Sequence, residues 1–347
     1  MTGAVNRRIV LASRPTGEPQ PSDFRLETGL VPEPEDGQVL LRTMWLSLDP
    51  YMRGRMSAAK SYAKPVLIDD VMVGGTVSEV VVSRHPDFQA GDIVLGHSGW
   101  QEYALSTGGD LRRLDPSLAP VSTALGILGM PGMTAYTGLV NIGQPKAGET
   151  LVVAAASGPV GSAVGQIAKL KGCRVVGVAG GPGKCRYLID ELGFDAAVDH
   201  RSPDMAQQLR DICPNGIDIY FENVGGAVFE AVLPLFNPGA RMTICGLIAH
   251  YGDAPGEDVR AQEHRRAEAQ GARVRNLSVG EYVADWHNAF LAEMAPWVAA
   301  GEVRYREDIR EGFEAIPTVF AEMLRGENFG KTLVRVAPDP TLTPRQG

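Results

Sequence analysis

The sequence predicts an α/β protein in which a doubly wound parallel sheet is combined with a mostly β domain. Short β-branched runs at residues 39–44, 77–82 and 93–95 are separated by turn residues, which is typical of a β domain. From residue 151 onward, apolar strands alternate with helical stretches, which indicates a parallel sheet covered by helices on both faces. A chain of 347 residues is long enough for two such domains.

The elements of the second domain follow from their hydrophobic patterns. Residues 151–156 form an unbroken apolar run, which predicts a strand buried on both faces. The aromatic side chains of a helix at 283–300 fall on one stripe, which we interpret as core packing. Further strands are predicted at 174–178, 196–200, 217–221 and 241–245, helices at 160–170, 184–192, 205–212 and 228–236, and a last strand at 331–336 that pairs with the first domain.

The composition argues against several classes of protein. A net charge of -8 disfavours a nucleic-acid partner, because phosphate backbones require a basic surface. The arginine-rich stretch 260–275 is interpreted as a solvated, salt-bridged helix. No segment approaches the ~18 unbroken apolar residues of a membrane span, and residues 1–8 do not lead into a secretory signal. We therefore expect a cytoplasmic protein without a membrane partner.

The cysteines argue against a metal site. Cys173, Cys185, Cys213 and Cys245 lie far apart, and none forms a pair at metal-ligand spacing. Zinc-dependent alcohol dehydrogenases take thiolate and histidine ligands from the first half of the chain, where this sequence has no cysteine. We therefore expect no catalytic zinc.

A glycine-containing turn follows the first buried strand and precedes a helix. The backbone N–H groups of a helix start bind a pyrophosphate only where the chain comes close to it, which Gly158 permits, and Gly161 lets the helix pack tightly on the strand. The alternative is a turn that merely contains glycines. The strand–turn–helix context favours a Rossmann-type dinucleotide site formed by Ser157, Gly158, Pro159, Val160 and Gly161.

The end of the second strand indicates which dinucleotide is bound. NAD enzymes have Asp or Glu there to hold the ribose hydroxyls, whereas this chain has Gly180, Gly181 and Lys184. Lys184 can pair with a 2′-phosphate, and His200 and Arg201, just after the third strand, can close the same pocket. The alternatives are an ordinary lysine at a helix start and a plain surface arginine. The pattern favours NADPH over NADH.

Short motifs spread in order along most of the chain resemble those of a known family. The matching stretches are 48–55 (LDPYMRGR), 99–103 (GWQEY), 130–136 (MPGMTAY), 156–161 (ASGPVG), 222–226 (ENVGG), 305–309 (YREDI) and 328–331 (NFGK). The sequence is similar to the zinc-free medium-chain dehydrogenases/reductases, and within them to the alkenal and ketone double-bond reductases that include prostaglandin and curcumin reductases. Together these motifs are specific for the family and less so for the substrate.

The resemblance implies a fold and a set of site residues. It implies a GroES-like catalytic domain formed by residues 1–125 and 315–347, a Rossmann NADPH-binding domain at 126–314 inserted between them, and a homodimer. It assigns Lys184 to the 2′-phosphate, and the family usually has a tyrosine where His200 stands, so that contact changes character here. It also implies cofactor contacts for Met133, Thr134, Asn223, Asn328 and Tyr251, the last beside the nicotinamide ribose.

The implied reaction is the NADPH-dependent reduction of the carbon–carbon double bond of an α,β-unsaturated aldehyde or ketone, without a metal. Hydride adds to the β-carbon, and the resulting enolate needs uncharged hydrogen-bond donors. Tyr251 is the first candidate donor and Tyr51 and Tyr62 are the next, with structural packing as the alternative for each. Two other functions stay open: an NADPH:quinone oxidoreductase of the same superfamily and a non-catalytic NADPH-binding protein.

Overall fold

The computed structural model describes residues 5–58, 64–253 and 258–342. The chain divides into two compact units. The first, here called the β unit, comprises Met1–Leu125 and Glu307–Gly347, and the second, here called the α/β unit, comprises Gly126–Arg306. Among the described residues, no helix combines the length and the apolar character needed to cross a bilayer.

The described residues form the following elements. The strands are β1 (Val5–Leu11), β2 (Phe24–Leu30), β3 (Val39–Ser47), β4 (Thr76–Ser83), β5 (Ile93–Gly96), β6 (Tyr103–Ser106), β7 (Arg112–Arg113), β8 (Thr150–Val153), β9 (Arg174–Ala179), β10 (Ala196–Asp199), β11 (Ile217–Glu222), β12 (Phe236–Ile244), β13 (Arg273–Asn276), β14 (Glu307–Glu311) and β15 (Lys331–Arg335). The α-helices are α1 (Tyr51–Arg55), α2 (Met130–Thr137), α3 (Pro159–Leu170), α4 (Pro182–Asp190), α5 (Met205–Ile212), α6 (Gly226–Val232), α7 (Val259–Ala269), α8 (Val283–Ala299) and α9 (Ile316–Leu324).

The β unit is built mainly on antiparallel pairing around an aromatic core. Its larger sheet runs in the order β14-β15-β3-β4-β5-β7, with β6 added to β3, while β1 and β2 form a separate two-stranded sheet. Trp100 is fully buried, stacks on Phe24 with ring centroids 5.2 Å apart and meets the Phe320 ring edge-on at 5.5 Å. Such large aromatic rings supply much of the area that a small β domain can bury.

The second boundary between the compact units lies at Glu307, eight residues before the predicted start at residue 315. The reason is that β14 pairs in parallel with β15, beginning at Glu307 and Lys331. The Ser122 hydroxyl also donates a hydrogen bond to the Glu307 carboxylate at 3.0 Å. Residues 307–311 read EDIRE, which is too polar to indicate a strand from the sequence.

The α/β unit contains a parallel sheet in the order β10-β9-β8-β11-β12-β13, so the predicted doubly wound sheet is confirmed. The chain winds outward from β8 through β9 to β10 and then returns to add β11, β12 and β13 on the other side. The order therefore reverses between β8 and β11. Ligands of open α/β sheets bind outside the carboxyl ends of the strands at this switch point.

Two predicted elements of the α/β unit end earlier than expected. The predicted strand 151–156 ends at Val153, because the following residues form the turn described below. The predicted helix 260–275 ends at Ala269, because Gly271 has a φ of 83° and stops it, and Arg273–Asn276 then pairs with β12 as an edge strand. With one apolar residue in four, β13 carries almost no hydrophobic signal.

Candidate active site

The turn between β8 and α3 is fastened to both neighbouring strands. The Ala154 N–H donates to the Phe221 carbonyl at 3.0 Å, and the Ala156 N–H donates to the Val178 carbonyl at 2.9 Å. Between them, Ala155 has a φ of 50°, a left-handed conformation that residues other than glycine adopt only where their surroundings impose it. Imposed backbone strain of this kind, at the switch point of the sheet, indicates a functional turn.

Gly161 lets α3 begin directly against this turn. A Cβ atom on Gly161 would lie 2.4 Å from the Ala155 carbonyl oxygen and 2.8 Å from the Ala156 Cα, distances that Cβ atoms in real proteins essentially never show. Gly158 is less restricted, since its Cβ would lie 3.3 Å from the same oxygen. Close approach is therefore required at Gly161, whereas Gly158 marks the start of the helix.

The first turn of α3 is suited to an anion. Gly158 precedes the helix in an extended conformation, and Pro159 and Val160 open it. The first N–H groups of a helix have no intrahelical acceptor and carry the positive end of its dipole. Ser157, which is buried, precedes them. These residues therefore fit the pyrophosphate of a dinucleotide.

Basic side chains converge where β9 and β10 end. A Cβ atom on Gly180 would lie 2.8 Å from His200 Nε2 and 3.3 Å from Arg201 Nε, so both side chains cover this glycine. The pKa of His200 is lowered, first by partial desolvation of its ring and then by the positive charge of Arg201, and Lys184 acts in the same direction. A cluster of cationic groups that repel one another fits an anionic ligand such as a 2′-phosphate.

Asp199, at the end of β10, shapes the same loop and was missed by the sequence analysis, which took only His200 and Arg201 from the end of the third strand. One oxygen of its carboxylate accepts the Gly181 N–H at 2.8 Å and the Arg201 N–H at 2.9 Å. The hydrogen bond from Gly181 is the main reason why the pKa of Asp199 is lowered. Gly181 has a φ of 92° and directly precedes α4, so Asp199 fixes the entry to the helix that carries Lys184.

Asn223 connects the end of β11 to the turn between β8 and α3, here called the cofactor turn. Its side-chain amide donates to the Ala154 carbonyl at 2.9 Å, next to the strained Ala155. Its own backbone carbonyl accepts the Ile248 N–H at 3.3 Å, which ties it to the segment after β12. Asn223 therefore lies at the junction of the three carboxyl ends that form this edge of the sheet.

Tyr251 lies at the same edge. It follows the short 3₁₀ helix Ile248–His250 and is half-buried. Its hydroxyl folds back over the residues that follow β12, since a Cβ atom on Gly246 would lie 3.1 Å from the hydroxyl oxygen and 3.6 Å from the Asn223 carbonyl oxygen. The structure thus brings the Tyr251 phenol and Asn223 together beside the cofactor turn.

α2 contributes a buried wall to the α/β unit. Met133 and Thr134 are almost fully buried, and the Thr134 hydroxyl donates to the Met130 carbonyl at 2.7 Å. Tyr136 is also buried, and burial raises its pKa to about 12. The Thr134 hydroxyl is therefore occupied within its own helix, which favours a role for the backbone at this position.

Two further candidates lie in the β unit. Tyr51 is the first residue of α1 and is half-buried. Two residues before it, Asp49 forms a buried ion pair with Lys331 at 2.6 Å, and the Lys331 ammonium also donates to the Leu48 carbonyl at 2.8 Å. Asn328 donates its side-chain amide to the Gly330 carbonyl at 2.9 Å. Tyr62 lies outside the described residues.

Within the part of the chain that the structure describes, no three His, Cys, Asp or Glu side chains are grouped so that they could hold a metal ion.

Comparison with known proteins covers both units. Residues 7–114 match the family model for the N-terminal domain of oxidoreductase, and residues 159–294 match the model for zinc-binding dehydrogenase. A two-unit chain with a parallel sheet and this glycine turn, matched in both parts, is an oxidoreductase of the medium-chain dehydrogenase/reductase family.

Within this family, the chain belongs to the group of curcumin and prostaglandin reductases, as the sequence predicts. It is 55% identical to the NADPH-dependent curcumin reductase of Escherichia coli K12, over 96% of this chain and 98% of that protein. It is 41% identical to prostaglandin reductase 1 of Rattus norvegicus, over 92% and 95% of the two chains. The crystal structure of CurA from Vibrio vulnificus in complex with NADPH is 50% identical, covers 96% of this chain and 100% of that one, and has a TM-score of 0.90.

Proposed function

We propose that this chain, an NADPH-dependent oxidoreductase, reduces the carbon–carbon double bond of α,β-unsaturated aldehydes and ketones. The observation that carries the proposal is the Tyr251 hydroxyl, an uncharged donor on the same sheet edge as Asn223 and the cofactor turn. The curcumin and prostaglandin reductases that this chain resembles over more than nine-tenths of its length support the substrate class.

The residues have distinct roles in this proposal. When bound, NADPH supplies a hydride. Ser157, Gly158, Pro159, Val160 and Gly161 hold the pyrophosphate, and Lys184, His200 and Arg201 hold the 2′-phosphate, with Gly181 fixing the loop between them. Asn223, Met133 and Thr134 complete the cofactor site within the α/β unit, and the family resemblance adds Asn328 as a proposed cofactor contact.

Tyr251 acts on the substrate. A phenol has a pKa of about 10, so it donates a hydrogen bond at neutral pH without carrying charge. Directed at the substrate carbonyl, it stabilises the negative charge that develops on oxygen when the β-carbon is reduced. Tyr51 is proposed as a second donor to the substrate, and a homodimer and a cytoplasmic location remain part of the proposal.

The test compares acceptors. The protein is mixed with NADPH and with an α,β-unsaturated ketone, its saturated analogue or a benzoquinone, while cofactor absorbance is followed and the products are identified by NMR. We expect oxidation of NADPH with the unsaturated ketone and formation of the saturated ketone. An allylic alcohol as product, or turnover with the quinone alone, would contradict the proposal; tight NADPH binding without turnover would favour a non-catalytic protein.

Substitution of Tyr251 tests the donor. Tyr251→Phe removes the hydroxyl and keeps the ring, so we expect kcat for the unsaturated ketone to fall by about a hundredfold, while NADPH still binds. Tyr103→Phe is the matched control, because Tyr103 lies on β6 in the other unit. Equal turnover in Tyr251→Phe and the wild type would remove Tyr251 from the reaction.

A further inference from the structure

Two buried carboxylates hold the turn that follows β11. Glu222 is completely buried, and its Oε1 accepts the Val224 N–H at 2.6 Å and the Gly225 N–H at 2.9 Å. Glu263, on α7, is 4% exposed, and its Oε1 accepts the Gly226 N–H at 3.2 Å. Residues 224–226 are therefore held by one carboxylate from the strand and a second from the helix.

The turn at residues 224–226 holds the segment that carries Tyr251. The Gly246 N–H donates to the Glu222 carbonyl at 3.2 Å, and the Ala249 N–H donates to the Val224 carbonyl at 3.0 Å. The Tyr251 hydroxyl folds back over Gly246. A displacement of the turn is thus transmitted to segment 246–251 through backbone hydrogen bonds.

His250 connects the segment directly to the carboxylates. Its Nε2 lies 3.9 Å from Glu263 Oε1, and its Nδ1 lies 2.7 Å from an Asp253 oxygen. Among the described residues, His250 Nε2 and Glu263 Oε2 are both buried and lack a hydrogen-bond partner. Buried polar atoms without partners cost free energy, and a buried carboxylate costs more than a buried carboxyl group, so a proton on this pair of side chains lowers the cost of burying them.

We propose that Glu263 is a positioning residue that holds one proton jointly with His250, and that this proton fixes the segment carrying Tyr251. The inference rests on the role of Tyr251 in the proposed function. With the proton on Glu263, the carboxyl group is uncharged and the neutral imidazole donates from Nδ1 to Asp253. With the proton on Nε2, the imidazolium donates from Nδ1 to Asp253 and forms an ion pair with Glu263 across 3.9 Å. When the proton leaves for water, the Glu263 carboxylate faces the lone pair of Nε2, and the contact becomes repulsive.

The electrostatic surroundings favour Glu263 as the proton holder. Burial, and then the negative charge of Glu222, raises the pKa of Glu263 to about 7. Burial raises the pKa of Glu222 as well, but its hydrogen bonds oppose that shift and suit an ionised carboxylate. Several ionisable groups lie around Glu263 and His250. They are Glu222 and Tyr220 from β11, Glu230 from α6, Asp253 just after segment 246–251, and Arg266 on α7 itself.

Two glutamate-to-glutamine substitutions on α7, one a test and one a control, examine the proposal by kinetics. Glu263→Gln keeps an acceptor for the Gly226 N–H and stays uncharged at every pH. We expect kcat/KM of the wild type to fall above about pH 7, by about tenfold for each pH unit, and that of Glu263→Gln to lack this fall. Glu268→Gln is the control, since Glu268 pairs with His264 at 3.3 Å on the same helix and is well exposed; it should keep the wild-type profile. The same fall in Glu263→Gln and the wild type would overturn the proposal.

A second measurement needs neither substrate nor cofactor. Carbon NMR of glutamate-labelled protein without NADPH follows the Glu263 carboxyl signal, which Glu263→Gln identifies by its loss. We expect this signal to change through about pH 7 in the wild type. A signal that changes only near about pH 4.3, the ordinary range of a glutamate, would contradict the shared proton. If the response is present but the wild type reduces no unsaturated ketone, the proposed function fails and the shared proton stands.

Discussion

Removal of the Lys184 ammonium should convert an NADPH-specific site into one that binds NADPH more weakly and NADH as before. Lys184 lies in the first turn of α4, and its charge reaches His200 beside Gly180. A hydrogen bond to a charged group contributes about 1.5–3 kcal/mol. For Lys184→Ala, we therefore expect the Kd of NADPH to rise by about tenfold to a hundredfold. NADH lacks the 2′-phosphate, so its Kd should not change.

The assay is a fluorescence titration of each protein with NADPH and with NADH. Lys171→Ala is the matched control, because Lys171 is a lysine of the same unit that lies beyond the C-terminal end of α3, 3.7 Å from Glu293. Both Kd values of this control should equal those of the wild type. If Lys184→Ala weakens NADH as much as NADPH, the lysine supports the loop rather than the phosphate. If neither changes, the assignment of the 2′-phosphate to this cluster is wrong.

Three further predictions follow from the geometry. The pKa of His200 is lowered in the free protein, whereas a bound phosphate favours the imidazolium. The wild type should therefore gain NADPH affinity relative to His200→Gln as the pH falls from about 7.5 to about 6, which titrations across that range measure. Gly161→Ala forces a Cβ to within 2.4 Å of the Ala155 carbonyl oxygen, so Tm should fall, the free energy of unfolding should drop by about 1–3 kcal/mol, and NADPH should bind more weakly. Gly29 has open space around it, so Gly29→Ala should change neither stability nor binding. The pKa of Glu263 is raised to about 7, so the stability that its protonated form contributes is present at acid pH and is lost as the pH rises. Relative to Glu263→Gln, the wild type should lose up to about 3 kcal/mol of unfolding free energy between about pH 4.5 and 7, as denaturant unfolding measures.

The sequence predicts the α/β unit better than the β unit because buried parallel strands are continuous apolar runs. Helix α5 is predicted to the residue, and β9 within one residue. Edge strands escape detection because one face and one edge are solvated, so polar residues suffice: β13 reads RVRN and β14 reads EDIRE. The difference between the predicted boundary and the boundary of the compact units has the same cause, since only pairing with β15 assigns residues 307–311 to the β unit.

The candidate site divides in the same way. The cofactor turn is contiguous in sequence, and its glycines and flanking strand and helix identify it. Asp199 and Glu263 act through backbone N–H groups of residues 18 and 37 positions away, and no local pattern signals such long-range hydrogen bonds. A sequence signal exists for one of them, since Asp199 directly precedes the basic pair His200-Arg201.

The end of the cofactor site near Gly180 is lined by positive groups, and the end near Tyr251 by negative ones. The proton on Glu263 therefore has a second consequence. Positive groups cluster near Gly180, where we propose that the 2′-phosphate binds, while Glu222 and Glu263 lie beneath the Tyr251 segment, where the proposed reaction develops negative charge on the substrate oxygen. An ionised Glu263 would add a second buried negative charge to that side and oppose the reaction through a medium of low dielectric constant. Protonation of Glu263 therefore favours turnover both by fixing the segment and by lowering the negative charge beneath it.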